Sequence, residues 1–274
     1  MNQCPHNNYY LNKLFNKEKE KKEKNHVKNI EGFINKFKDD FNSNQLNNLI
    51  KFDIINGTQE NKISTTFSKY LNIIKKYIEK DKTFLKENYE ETKKEKEIIL
   101  NDIENYILKK IYFYVFPEEQ IEIDKLFYKK TVQLKWIKPK HFDIKQIYEH
   151  ELKTAENYIK KMDKGKSVME KIIFLYNANN TINNVIKFSS ENDENVGADD
   201  LTPIFQYIVI KAQPERFYSN LFYLKCFMGK EKLKGKYGFL FRNLEFAGEF
   251  IMNISYEKLN VSEEEFNKFM KDCE

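Results

Sequence analysis

Two adjacent carboxylates, Asp199 and Asp200, stand in the stretch GADDLTPIF, ahead of an almost wholly apolar run at 204–212. A carboxylate near a helix N-terminus is stabilised by unpaired N–H groups and by the helix dipole, by about 0.3–1 kcal/mol. Pro203 suits a first turn. One acid is enough for that purpose, and the second is left without a task. Covalent chemistry has no comparable candidate. His6, His26, His141 and His150 are scattered, His150-Glu151 belongs to no HExxH pattern, and surface positions are expected for them. Cys4, Cys226 and Cys273 form no CxxC pair and are odd in number, which speaks against a zinc module or a disulfide framework. Without a GxSxG, a P-loop or a GxGxxG, the hydrolase, NTPase and dinucleotide readings lack their essential backbone features. No metal ligand set and no cofactor is expected.

The elements that must carry the acid pair read as helices. The chain has 274 residues and is 41% hydrophobic, enough for a sizeable core. Its 8 Gly and 5 Pro leave few sheet turns and many uninterrupted segments, so an all-α fold is expected. The 47 basic and 42 acidic residues nearly cancel, and a net charge of +5 does not call for nucleic acid.

Residues 1–28 end in KEKEKKEKNHVK, which cannot bury a core face and reads as a charged, loosely ordered arm. Its interleaved Glu residues weaken any attraction to an acidic membrane. Residues 29–101 form a helical bundle on the spacing of Ile30, Phe33, Ile34, Phe37 and Phe41, then Phe67, Tyr70, Leu71, Ile74, Tyr77 and Ile78. A third stretch from Ile98 to Ile111 runs into YFYVF, where Pro117 stops it. Helical periodicity returns over 124–136, and Pro139 ends it. Ser167 with Glu170, and Ser262 with Glu265, have the spacing of capping boxes. NANNTINN and SSENDENVG read as a polar loop, and GKEKLKGKYG as a basic, Gly-bounded loop. No apolar run approaches membrane-span length, MNQCPHNNYY lacks the features of a signal peptide, and no lipidation motif is present. A cytosolic protein is expected.

GADDLTPIFQYIVIKAQPERFYSNLFYLKCF and GKYGFLFRNLEFAGEFI, together with DIENYILKKIYFYVF, LKWIKP and NVSEEEFNKFM, resemble the vacuolar protein sorting nine domain of Rabex-type exchange factors. The resemblance runs from about Asp102 to Met270, so residues 102–274 are assigned to an exchange domain with the bundle packed in front. It implies a layered multi-helix fold and guanine-nucleotide exchange on an early-endosomal Rab GTPase of the Rab-five group, preferentially GDP-bound or nucleotide-free. It also implies peripheral recruitment to early endosomes and room for an effector partner. In the family an acid of the ADD motif acts as a finger into the phosphate site, which by position is Asp199, leaving Asp200 as the helix cap. The same resemblance puts Pro203, Tyr207, Asn220, Tyr223, Phe239, Arg242 and Asn243 at GTPase-binding positions.

Departures accompany it. Where the family commonly reads GYYFTN this chain has GFLFRN, so Phe239 lacks a hydroxyl, Leu240 replaces a second aromatic and Arg242 replaces a Thr. Lys236 stands where an acid is usual. One lost hydrogen bond is worth about 1 kcal/mol. A Rab-binding adaptor with weak or no exchange activity is the alternative reading. The N-terminal zinc finger of Rabex-type relatives has no counterpart in these residues.

Overall fold

The computed structural model describes residues 60–80, 89–116, 121–144, 149–189 and 198–271, and every regular element among them is helical. The predicted arm at 17–28, the first bundle helix at 30–41 and the SSENDENVG tract lie wholly or almost wholly outside the described residues. Contacts divide the chain into two compact units. Among the described residues, one unit holds 69–104 and the other 60–68 and 105–271.

The smaller unit is built from most of α1 (Glu60–Lys80) and the first turns of α2 (Tyr89–Val115). Ile74, Ile78, Ile99 and Ile103 are buried at helical spacing, and Lys96 Nζ donates to the Glu79 carbonyl at 2.9 Å, tying the two helices together.

The larger unit follows with α3 (Ile121–Gln133), α4 (Glu149–Lys161), α5 (Val168–Ser189), α6 (Ala198–Ala212), α7 (Phe217–Phe227), α8 (Lys230–Lys234), α9 (Lys236–Met252) and α10 (Glu263–Lys271). At its centre α6 packs on α4, α5 and α9, while α7 packs on α3, α5 and α9. Leu201, Ile204, Phe205, Ile208, Val209, Ile210 and Ala212 of α6 are all buried, as its nearly all-round apolar sequence requires. Gly248 lets α9 approach α7, for a Cβ there would lie 2.5 Å from the Phe217 ring. That ring in turn stacks on Phe127 of α3 at 4.1 Å.

Helix ends explain much of the order. Glu170 N donates to Ser167 Oγ at 3.3 Å, and Glu170 Oε2 accepts from Lys166 N at 2.8 Å, so the capping box of α5 closes one residue earlier than its usual partner. Glu265 N donates to Ser262 Oγ at 3.2 Å and starts α10. The polar tract 177–184 is helical, contrary to the loop expected there. Ala178, Asn179, Ile182 and Val185 give α5 a buried stripe facing its neighbours, and this packing outweighs the weak propensity of Asn. The basic loop expected at 229–238 contains the short helix α8, and the expected surface His141 is buried, its Nδ1 accepting from Lys138 N at 3.0 Å in the turn Pro139–Phe142. Burial, and the neighbouring lysines led by Lys140, lower the pKa of His141.

The start of α7 is held from a distance. Asp124 of α3, 2% exposed, accepts from Tyr218 N at 2.7 Å, Ser219 N at 3.1 Å, Ser219 Oγ at 2.5 Å and Arg216 Nε at 3.3 Å. A carboxylate with four donors replaces the missing side-chain cap of α7. Asp124→Ala is expected to cost about 3–5 kcal/mol in a denaturant titration, because it strands those buried donors.

At the other end of the unit, Trp136 stacks on Phe269 of α10 at 4.7 Å, meets Phe266 edge-on at 5.9 Å and lies 5.2 Å from the His141 ring.

Candidate functional site

The acid pair sits within the first turn of α6. This helix begins at Ala198, so Asp200 is its third residue rather than the residue ahead of it. Pro203 falls in the second turn, where it has no N–H for the Asp199 carbonyl, and it is half-buried. One turn further, Tyr207 is 7% exposed, under the Lys211 ammonium at 5.5 Å and against Phe142 at 6.3 Å. The helix ends with Gln213 in the left-handed region at φ 49°, its N–H returning to the Val209 carbonyl, before Pro214.

A surface cavity of about 560 Å³ opens beside α6, with Pro203 and Gln206 on one wall and Phe142, Phe250 and Leu259 on others. Pro203 therefore shares this cavity with Phe250 of the last turn of α9. Phe239 sits eleven residues earlier on α9, about 16 Å of helix rise away, so the predicted contact residues span an extended face rather than one pocket.

On α9 the inner positions Leu240, Phe241, Leu244 and Ala247 are buried, while Phe239 is 41% exposed and Arg242 is exposed beside half-buried Asn243. The start of α9 depends on Gly238, where a Cβ would lie 1.8 Å from the Leu233 carbonyl oxygen of α8. Arg242 Nη1 donates to that same carbonyl at 3.4 Å. In an open helix Gly→Ala is favourable by about 1 kcal/mol. Here the backbone contact reverses the sign, and Gly238→Ala is expected to cost about 1–3 kcal/mol, with faster amide exchange over 230–238 as its local signature.

Asn220 and Tyr223 of α7 are inside the domain, 1% and 0% exposed. They belong to a network around Lys171, itself 0% exposed. Lys171 Nζ donates to Asn220 Oδ1 at 2.6 Å and to the Met162 carbonyl at 2.8 Å. Asn220 Nδ2 donates to Asp163 Oδ1 at 2.6 Å, and the other Asp163 oxygen accepts from Glu215 N at 3.0 Å. The rings of Phe116, Tyr112 and Tyr223 surround the ammonium at 4.9, 5.4 and 5.5 Å. Burial brings the Lys171 pKa down to about 7 against the opposing pull of Asp163, and burial also raises Asp163. Tyr223 Oη donates to the Lys166 carbonyl at 3.1 Å. These two residues support α7 from within, while the surface candidates come from α6 and α9, which pack on each other. Sequence reasoning passed over Lys171, Asp163 and Asp124, because a single Lys or Asp in a helical pattern carries no mark of burial.

Among the described residues no group of three His, Cys, Asp or Glu side chains could hold a metal ion, and no helix is long and apolar enough to cross a membrane. The chain is 31% identical over 178 residues to Vacuolar protein sorting-associated protein 9A of Arabidopsis thaliana, covering 62% of this chain and 34% of that protein. It is 31% identical over 184 residues to the Rab5 GDP/GTP exchange factor of Homo sapiens, covering 64% of this chain and 37% of that one. The fission yeast Vacuolar protein sorting-associated protein vps901 (Schizosaccharomyces pombe) is 27% identical over 185 residues, 60% of this chain and 31% of its own. The chain thus spans about a third of the length of these curated relatives. The profile of the Vacuolar sorting protein 9 (VPS9) domain matches residues 152–256, which run from α4 to the turn after α9 and include α6 and the surface residues of α9. Over residues 152–256 the chain therefore matches the VPS9 domain.

Proposed function

We propose that this chain is a guanine-nucleotide exchange factor for an early-endosomal Rab GTPase of the Rab-five group, working peripherally at that membrane and without a cofactor. The observation that carries the reading is the VPS9 match spanning α6 and α9, with Asp199 in the first turn of the first helix and Phe239 exposed on the second. The mechanism is competition. A Rab holds its nucleotide through a P-loop Lys and Mg²⁺ on the phosphates. The Asp199 carboxylate pairs with that Lys and repels phosphate, while Phe239 anchors the switch regions and Pro203, Tyr207, Arg242 and Asn243 shape the remaining contact. Asp200 helps to start α6, and Asn220 and Tyr223 hold α7 in place behind it. Binding is reciprocal, so a protein that prefers the nucleotide-free Rab loosens the nucleotide by the same factor. No covalent bond is made or broken, and net loading with GTP follows from its excess over GDP.

Release of fluorescent GDP from a Rab-five-group GTPase, with the chain added at increasing concentration, tests this. Saturable acceleration supports exchange. The Phe239 and Arg242 departures favour one second reading, an adaptor, which predicts binding with no acceleration. Absence of both binding and acceleration removes the GTPase reading.

A further inference from the structure

Between Gly229 and Asn243 the sequence carries five cations, Lys230, Lys232, Lys234, Lys236 and Arg242, against one acid, Glu231. Lys236, Phe239, Arg242 and Phe246 follow one another along α9 at spacings of three, three and four, so they form a single ridge about 15 Å long. All four are exposed, Phe246 most of the two rings at 58%. The apolar demand of α9 is already met by its inner face, so these rings are surplus to the core and mark a contact surface.

The cations on the ridge are held in place. Lys236 Nζ lies 5.0 Å over the Tyr176 ring of α5 and 5.1 Å over Tyr237, and Arg242 is hydrogen-bonded to α8. Ordering them beforehand lowers the entropic cost of binding. The first turn of α9 contains no acid to offset Lys236, so the positive end of the helix dipole adds to the same field. Aromatic rings alternating with cations, one of them Arg, have the composition of a protein–protein hot spot.

We propose that this ridge reads the identity of the GTPase, and that the GTPase meets it with apolar side chains set among acidic ones. The inference rests on the exchange reading and adds to it Lys236, Phe246 and the charge of the partner. Anionic lipid fits the ridge less well, because Glu245 and Glu249 flank Phe246 and would be pressed against headgroups of their own sign.

The test uses the full chain and a Rab-five-group GTPase loaded with fluorescent GDP. For the double variant Lys236→Glu/Arg242→Glu, kcat/KM is expected to fall roughly 30-fold or more, with the loss carried by KM. Phe246→Ser is expected to lower it roughly tenfold. Raising salt from about 50 to about 300 mM should depress the wild-type value and leave the double variant flat or rising. Circular dichroism melts confirm that each variant is folded. If both variants stay within about twofold of wild type, with its salt slope, the ridge proposal fails while exchange stands. A loss confined to assays with phosphatidylserine vesicles and tethered GTPase assigns the ridge to lipid and overturns it too. If the wild-type chain does not accelerate release, the exchange reading fails separately, and affinity for the nucleotide-free GTPase becomes the readout. The same losses then support the ridge, while unchanged affinity or no binding overturns it.

Discussion

Asp199→Ala is expected to lower the maximal rate of nucleotide release by roughly 100- to 1000-fold, the range seen when one group aimed at developing charge is removed. On the proposed mechanism the loss should appear in kcat, because the carboxylate would act on phosphate in the ternary complex, after the two proteins have met. The fold should barely notice. Asp199 lies in the first turn of α6, where a carboxylate adds about 0.3–1 kcal/mol through the dipole, and Asp200 next to it supplies the same favour. Asp199→Asn separates charge from shape: it keeps the side-chain size and should be nearly as slow as Ala. Asp200→Ala is the control, with a rate within about threefold of wild type and a stability loss of about 1 kcal/mol or less. A fast Asp199→Ala variant would mean that nucleotide is displaced by some other group.

A stability effect as large as that at Asp124 is expected at Lys171. Lys171→Ala should cost about 3–5 kcal/mol, since it leaves Asn220 Oδ1 and the Met162 carbonyl without their donor and opens a void among three rings. The same residue sets a pH dependence. Its pKa falls from 10.5 to about 7 in the folded chain, so between those values the unfolded state holds one more proton. Stability must therefore rise with pH in that window, by up to about 1.4 kcal/mol per unit, and be lost as pH falls through 7. Tyr112, pushed up to about 12 by burial, acts with the opposite sign and only above pH 10, which leaves pH 7 to 9 clear of it. Denaturant midpoints at pH 7 and 9 for wild type and Lys171→Met check this. The wild type should gain on the way up, and the variant, which lacks the titrating amine, should lack that share of the gain.

Residue type and spacing made the helices legible, along with the cap at Ser167, the cap at Ser262 and the buried character of α6. These depend on local chemistry that a linear string records. What the string hid depends on distance. Asp124 caps a helix 94 residues away, Asn220 reaches Lys171 across 49, and Gly238 is needed because a carbonyl of another helix passes close by. The Asn-rich tract of α5 misled for the same reason: its buried stripe is worth more than its propensity, and only neighbours create burial. For the proposed site, motif resemblance points to α6 and α9. It could not separate the side chains that face outward, such as Phe239 and Arg242, from Asn220 and Tyr223, which face the interior.

The single tryptophan of this chain is clasped between a turn and the terminal helix, stacked on Phe269 with His141 at its flank. Its ultraviolet emission is consequently a gauge of one seam: a red shift marks the undocking of the last helix, whatever the remainder of the molecule is doing. Calorimetry or far-ultraviolet dichroism must accompany any fluorescence melt before its midpoint is credited to the whole protein.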